Sequence, residues 1–142
     1  MAIGPKVLII EDEALIAIEL ETIVLELGCV CIGPVMEFEQ GLHLAKTADV
    51  DCAIVNLILG DKQAYPIAEA LVARGIPFGF ASGVFQTDIP QEWLDRPFLD
   101  KPYGIASVQR LVEAVLGRAP SAIIAEERPT RPAGMHPGIG AE

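Results

Sequence analysis

Basic residues are scarce in this chain. It carries 10 Lys and Arg against 20 Asp and Glu, a formal net charge of −10 over 142 residues. Phosphate backbones recruit clustered Lys and Arg, and the few here are scattered, so nucleic acid is not expected as a direct partner. Aromatic residues make up 6% of the chain, with a single Trp. Cysteine is scarce too: Cys29, Cys31 and Cys52 all lie inside apolar segments. Cys29 and Cys31 sit two apart on an expected strand, which puts them on one face without disulfide geometry. A zinc site needs more ligands than these, and His43 and His136 lie in unrelated contexts, so reduced buried thiols are expected. His43 reads as an ordinary residue of a helix surface. Long apolar runs are missing as well. Residues 7–10 and 14–18 are split by Glu11-Asp12-Glu13, and nothing approaches the ~20 apolar residues that a membrane span needs. The first residues lack the basic, apolar, small order of a secretory signal, so the expected location is cytoplasmic.

What is present is apolar residue in quantity, 51% of the chain, enough for one domain with a real core. Residues 6–10 read as a first strand, broken by the acidic triplet. Leu15, Ile16, Ile18, Ile23, Leu25 and Leu27 then recur helically against Glu19, Glu21 and Glu26. That pattern predicts an amphipathic helix closing at Gly28. Residues 29–33 predict a second strand ended by Pro34, and residues 37–48 a second helix weakened by Gly41. Residues 52–56, Cys-Ala-Ile-Val-Asn, show no polar alternation before Asn56, as expected of a strand covered on both faces. A loop follows, then a helix over 67–74 with Pro66 suiting its first turn and Gly75 closing it. Residues 77–81 predict a fourth strand. Residues 86–96 are poorly patterned, with one helical turn at 92–94. Residues 98–99 predict a brief fifth strand. A final helix is expected over 105–116, with Val108, Leu111, Val112, Val115 and Leu116 on its apolar face.

Beyond Gly117 the pattern stops. Pro120, Pro129, Pro132 and Pro137 share the remaining stretch with several glycines, and such a composition cannot bury enough surface to offset chain entropy. The domain is therefore expected over 1–118, with a flexible tail over 119–142 whose one apolar island runs from Ala122 to Ala125. A chain cut near Arg118 should melt within a few degrees of the full one. A larger drop in a thermal melt would show that the tail packs on the domain.

Five alternations of strand and helix imply an α/β domain with a parallel sheet, right-handed crossovers and helices on both faces. A doubly wound five-stranded order of 2-1-3-4-5 sets the carboxyl ends of strands one and three side by side, where open sheets bind ligands. Glu11 and Asp12 follow the first strand and Asn56 ends the third. Ser82-Gly83 ends the fourth, and Lys101-Pro102 follows the fifth. Each has an ordinary reading alone: an acidic helix start favourable to the dipole, a loop hydroxyl, a surface lysine. Acid, amide, hydroxyl and lysine converging on one edge make a candidate site.

The motifs Val-Leu-Ile-Ile-Glu-Asp-Glu, Ala-Ile-Val-Asn-Leu-Ile-Leu-Gly, Phe-Ala-Ser-Gly and Phe-Leu-Asp-Lys-Pro-Tyr occur in that order. Together they resemble the receiver domain of bacterial two-component response regulators, over Lys6 to about Gly117. Phe-Ala-Ser-Gly and Lys-Pro-Tyr further resemble a stand-alone subgroup with a Phe-Ala-Thr-Gly signature. The resemblance implies a flavodoxin-like receiver fold, phosphorelay signalling without enzymatic turnover, and a histidine kinase or another signalling protein as partner. It implies Mg²⁺ at Glu11, Asp12 and the Ile58 carbonyl, hard oxygen donors of the kind that ion takes. It also assigns Ser82 as the switch hydroxyl and Lys101 as the cation beside the phosphoryl group, with Phe98 at the aromatic switch position. The output surface would be the fourth helix, fifth strand and last helix, where Trp93, Phe98 and Tyr103 suit an interface or a homodimer.

The chain departs from the family at the acceptor. Position 56 is Asn, and an amide has no anionic oxygen to attack phosphorus. The same change removes one negative charge from the metal site, so Mg²⁺ should bind weakly or not at all. Asp51 begins the strand and Asp61 lies in a loop, which makes both poor substitutes. Asn56 is thus either a natural loss, making a pseudo-receiver, or an engineered substitution in an ordinary Asp-phosphorylated receiver. A flavin or nucleotide binder on the same fold is a third reading. It would need a Gly-, Ser- or Thr-rich loop after the first strand, where this chain has Glu-Asp-Glu.

Overall fold

The computed structural model describes residues 4–82, 90–93, 96–100 and 104–117. Five strands form one parallel sheet: β1 (Lys6–Ile10), β2 (Val30–Val35), β3 (Cys52–Asn56), β6 (Phe78–Ser82) and β7 (Phe98–Asp100). Their order is β2-β1-β3-β6-β7, which is the expected doubly wound 2-1-3-4-5 once a small hairpin is set aside. That hairpin, β4 (Ile58–Leu59) against β5 (Lys62–Gln63), occupies the stretch expected to be loop. Among the described residues, α1 (Ala14–Glu26), α2 (Phe38–Thr47) and α3 (Tyr65–Ala73) lie between strands of the sheet, and α4 (Ile105–Leu116) follows β7. No helix among the described residues is long and apolar enough to cross a membrane.

Strand alternation divides the core in two. Leu8, Ile10, Ala53, Val55, Phe78 and Phe80 meet α2 and α3 on one face. Val7, Ile9, Cys52, Ile54 and Ala81 meet α1 and α4 on the other. Side chains of successive strand residues point to opposite faces, so a strand buried on both sides must be apolar throughout. Cys52–Asn56 is buried at every position. Gly79 belongs to the α4 face, where a Cβ would come within 2.6 Å of Leu111 Cδ1. Gly41 marks a close approach of α2 to β1 rather than a weak point, because a Cβ there would lie 3.0 Å from Ile10 Cγ2.

Three expectations need correction. Pro34 does not end β2, which continues to Val35. β2 is a sheet edge, where a proline's missing N–H removes no ladder bond. The register against β1 shifts between Leu8 and Ile10, and the Val35 carbonyl then accepts the Glu11 N–H at 2.9 Å. Leu15, Ile18 and Leu25 do not join the buried face of α1; they are exposed, and Ala17, Leu20, Ile23 and Val24 are buried instead.

Trp93 is the third. It is 4% exposed, not a surface aromatic. β7 is only three residues long, and Trp93 covers the aromatic face beside it from a 3-10 turn at Gln91–Trp93. Its ring stacks on Tyr65 at 6.1 Å and meets Phe80 edge-on at 6.0 Å. The Arg96 guanidinium closes the cluster, 4.8 Å from the Phe78 ring centre. Tyr103 and residues 118–142 lie outside the described residues, as do residues 83–89 and 94–95.

The cysteines are free thiols. Burial pushes Cys29 and Cys31 up to about 11 and Cys52 to about 12, so all three stay protonated at neutral pH. His43 is exposed on α2.

Candidate functional site

Two strand ends build the centre of the site. β1 and β3 run in register up to Ile10 opposite Val55, so Glu11 and Asn56 leave the sheet together. β3 holds its place at the edge through Leu57, whose N–H reaches the Ala81 carbonyl at 2.9 Å. The edge is deeply set: Glu11 is 0% exposed and Asn56 6%, the only buried polar or charged side chains among the described residues. A carboxylate at that depth is costly unless donors surround it.

The Asn56 amide supplies such donors. Its Nδ2 donates to Glu11 Oε2 at 3.1 Å and to Asp12 Oδ1 at 2.8 Å. An amide nitrogen carries two protons and an ionised carboxylate only accepts, so the flanking acids fix which way the amide faces. Backbone groups donate as well. Glu13 N–H reaches the same Glu11 oxygen at 3.0 Å, and Gly60 N–H reaches Asp12 Oδ2 at 2.8 Å. Hydrogen bonds to charged acceptors are short and strong, and linked ones polarise each other.

The Asp12 contact ties the hairpin to the site. Gly60 adopts φ +64° at the turn, a conformation glycine reaches without penalty. Leu59 is buried beneath it while Ile58 is 41% exposed. On the far side Lys62 sits 3.3 Å from Glu39 and 5.0 Å from the Phe38 ring centre. Both partners of that ion pair are largely exposed, so it contributes little. Sequence reasoning missed the hairpin. Its signal was the Gly60-Asp61 pair between two short β-compatible segments.

The expected residues therefore gather unevenly. Glu11, Asp12 and Asn56 are in direct contact, and Ile58 opens the hairpin that Asp12 holds. Ser82 ends β6 with its backbone paired to Asp100. Its side chain and the whole of Lys101 lie outside the described residues. Phe98 packs on Phe80, ring centres 5.5 Å apart, and is half-buried.

Glu11 and Asp12 are hard oxygen donors that fit Mg²⁺ in kind. Asn56, however, turns protons rather than a lone pair toward both of them. Among the described residues no group of three or more His, Cys, Asp or Glu is placed to hold a metal. The donor set suits a divalent ion with one anionic ligand fewer than a carboxylate at position 56 would give.

A doubly wound parallel sheet of this order, with its polar centre where β1 and β3 leave the edge, belongs to the flavodoxin-like class. No family model and no curated protein sequence matches the chain. Solved structures do. SdrG from Sphingomonas melonis Fr1 is 36% identical, with a TM-score of 0.73 over 82% of this chain and 99% of that one. A CheY-like response regulator receiver domain from Methylobacillus flagellatus is 26% identical, with a TM-score of 0.66 over 79% of this chain and 98% of that one. The receiver domain of sensor histidine kinase PA1611 from Pseudomonas aeruginosa PAO1 shares the fold at 19% identity and a TM-score of 0.65. That match covers 80% of this chain and 98% of that one, and that structure holds a magnesium ion in its active-site cleft. The chain belongs to the response regulator receiver family.

Proposed function

We propose that the chain is a pseudo-receiver: a phosphorelay signalling module that acts through protein contacts and is not phosphorylated at Asn56. One observation carries this reading. The Asn56 amide bridges the two acids that would otherwise need a cation between them. A neutral group thus supplies donors to both acids at the place where an ion would otherwise sit.

In this reading Glu11, Asp12 and the Ile58 carbonyl keep the positions of a metal site, and Mg²⁺ binds them weakly or not at all. Ser82 and Lys101 keep the positions of the switch hydroxyl and the phosphate-neutralising cation, and Phe98 that of the aromatic switch. Phe-Ala-Ser-Gly at Phe80 to Gly83 supports a likeness to the stand-alone Phe-Ala-Thr-Gly subgroup. The module does no chemistry of its own, and its partner is a histidine kinase or another signalling protein. A homodimer would use the surface around η1 (Gln91–Trp93), β7 and α4. Trp93 is buried there; among the described residues, half-buried Phe98 and the 46% exposed Ile105 would be apolar contacts.

The direct test is chemical. Incubated with acetyl phosphate and Mg²⁺, the protein should gain no phosphate by intact-mass spectrometry. A Mg²⁺-dependent gain of one phosphate would sink the reading and point to a different acceptor.

A further inference from the structure

One cation of this acidic chain is held inward without an anion. Lys6 pairs with Asp49 and Lys62 with Glu39, and Arg74 donates to the Ala45 and Ala48 carbonyls at the end of α2. Lys46 and Arg110 are exposed, where water serves them. Arg96 is half-buried, and among the described residues no salt bridge reaches its guanidinium. Its Nε is enclosed and has no acceptor. A buried donor without a partner costs stability and is uncommon. With 20 Asp and Glu in the chain, what is missing is a carboxylate at this one place.

Aromatic rings hold the guanidinium in position. Its centre lies 4.8 Å from the Phe78 ring centre and 6.0 Å from that of Trp93, and both rings are buried. Ring faces attract a cation, more strongly where water is excluded. The Arg96 N–H also donates to the Trp93 carbonyl at 3.2 Å, which fixes the backbone beneath the side chain. Stacking uses the flat face of a guanidinium and leaves its N–H groups pointing outward in the plane. Those groups form a rigid fork that matches the two oxygens of a carboxylate. The terminal Nη groups of Arg96 are not among the enclosed donors, so that end of the fork is the one a ligand meets.

We propose that Arg96 anchors a carboxylate of another protein, an Asp or Glu side chain received end-on by its Nη groups. The place is the amino edge of the sheet, two residues before β7 and beside Phe78, which opens β6. It lies at the opposite end of the strands from Asn56 and does not depend on what that position carries. Charge selects the ligand. A chain of net charge −10 repels a phosphate dianion or a nucleic acid more than it repels one carboxylate. A single guanidinium, with no second cation beside it among the described residues, neutralises one negative charge. The partner's acid thus supplies the counter-charge that the chain's own acids do not.

The test uses three probes: the capped pentapeptide Ala-Ala-Glu-Ala-Ala, its Gln counterpart, and inorganic phosphate. Binding is read from the Arg96 Nε–H and Trp93 indole N–H resonances. The Glu peptide should shift both saturably, the Gln peptide should shift neither, and phosphate should bind more weakly than the Glu peptide. Arg96→Gln should abolish the indole shift. Arg96→Lys keeps the charge and loses the fork, so it should weaken binding on the order of tenfold. The Lys variant retains a cation over the rings, and its unfolding midpoint confirms that the fold is intact. No saturable shift with the Glu peptide would overturn the proposal, as would an equal response to the Gln peptide or binding that survives Arg96→Gln. Tighter binding of phosphate would overturn it by making the site one for phosphate. A dimer in sedimentation equilibrium that Arg96→Gln dissolves would overturn it too, by showing that the carboxylate comes from a second copy.

Discussion

Asn56→Asp should destabilise the protein in chelator and make it responsive to Mg²⁺. The substitution removes both Nδ2 donors from Glu11 and Asp12 and sets a third carboxylate between them. Like charges at hydrogen-bond distance raise one another's pKa, and stranding a buried charge costs about 3–5 kcal/mol. Urea unfolding in the presence of a chelator should therefore show a markedly lower midpoint for the variant than for the parent. Adding Mg²⁺ should recover much of the loss, since a ligand at a hundred times its Kd stabilises by about 2.7 kcal/mol. The new carboxylate is also a nucleophile, so with Mg²⁺ and acetyl phosphate the variant should gain one phosphate by intact-mass spectrometry. The parent should show neither response. Equal Mg²⁺ stabilisation of both proteins, with no phosphate on the variant, would mean that the site has lost more than its acceptor. Full recovery would favour an otherwise intact receiver whose acceptor alone was exchanged.

Trp93→Ala should cost about 3–5 kcal/mol, the range for truncating a large buried aromatic. Trp93 lies between Tyr65, Phe78 and Phe80, with the Arg96 guanidinium over its ring, 6.0 Å from the centre. Removing it empties a space that rigid rings cannot collapse to fill, and it uncovers the Phe80 face. Trp93→Phe should lose far less. Denaturant midpoints for the two variants decide the matter. A Trp93→Ala protein as stable as the parent would return Trp93 to the role of a partner-facing residue, the role its place in the sequence first suggested.

The sheet was legible because its strands are buried on both faces. Residues 52–55 have to be apolar throughout, and Val7 to Ile10 likewise, so the runs announced themselves. The acid pair and Asn56 could be placed because a doubly wound order sends strands one and three out at the same edge. What stayed hidden depended on tertiary context. Pro34 reads as a strand end until β2 is known to be an edge. Gly41 reads as a helix defect until α2 is seen against Ile10. Leu15, Ile18 and Leu25 repeat at helical spacing just as buried residues would, and only packing shows which stripe the sheet takes. The Asp12–Gly60 hydrogen bond was out of reach for a different reason. It joins a side chain to a backbone N–H across the chain, and a backbone donor leaves no mark in a sequence.

The burial of Trp93 has an optical consequence. It is the only tryptophan in the chain, so indole emission comes from one environment. With the ring 4% exposed and stacked on Tyr65, that emission should be blue-shifted in the native state and move to the red as the ring meets water. Because Phe80 of β6 touches both Trp93 and the Phe98 ring of β7, a shift of the last strand alters the indole's surroundings without any unfolding. The chain thus carries an intrinsic fluorophore beside β7, a strand of the proposed interaction surface, and no dye need be attached to watch that edge move.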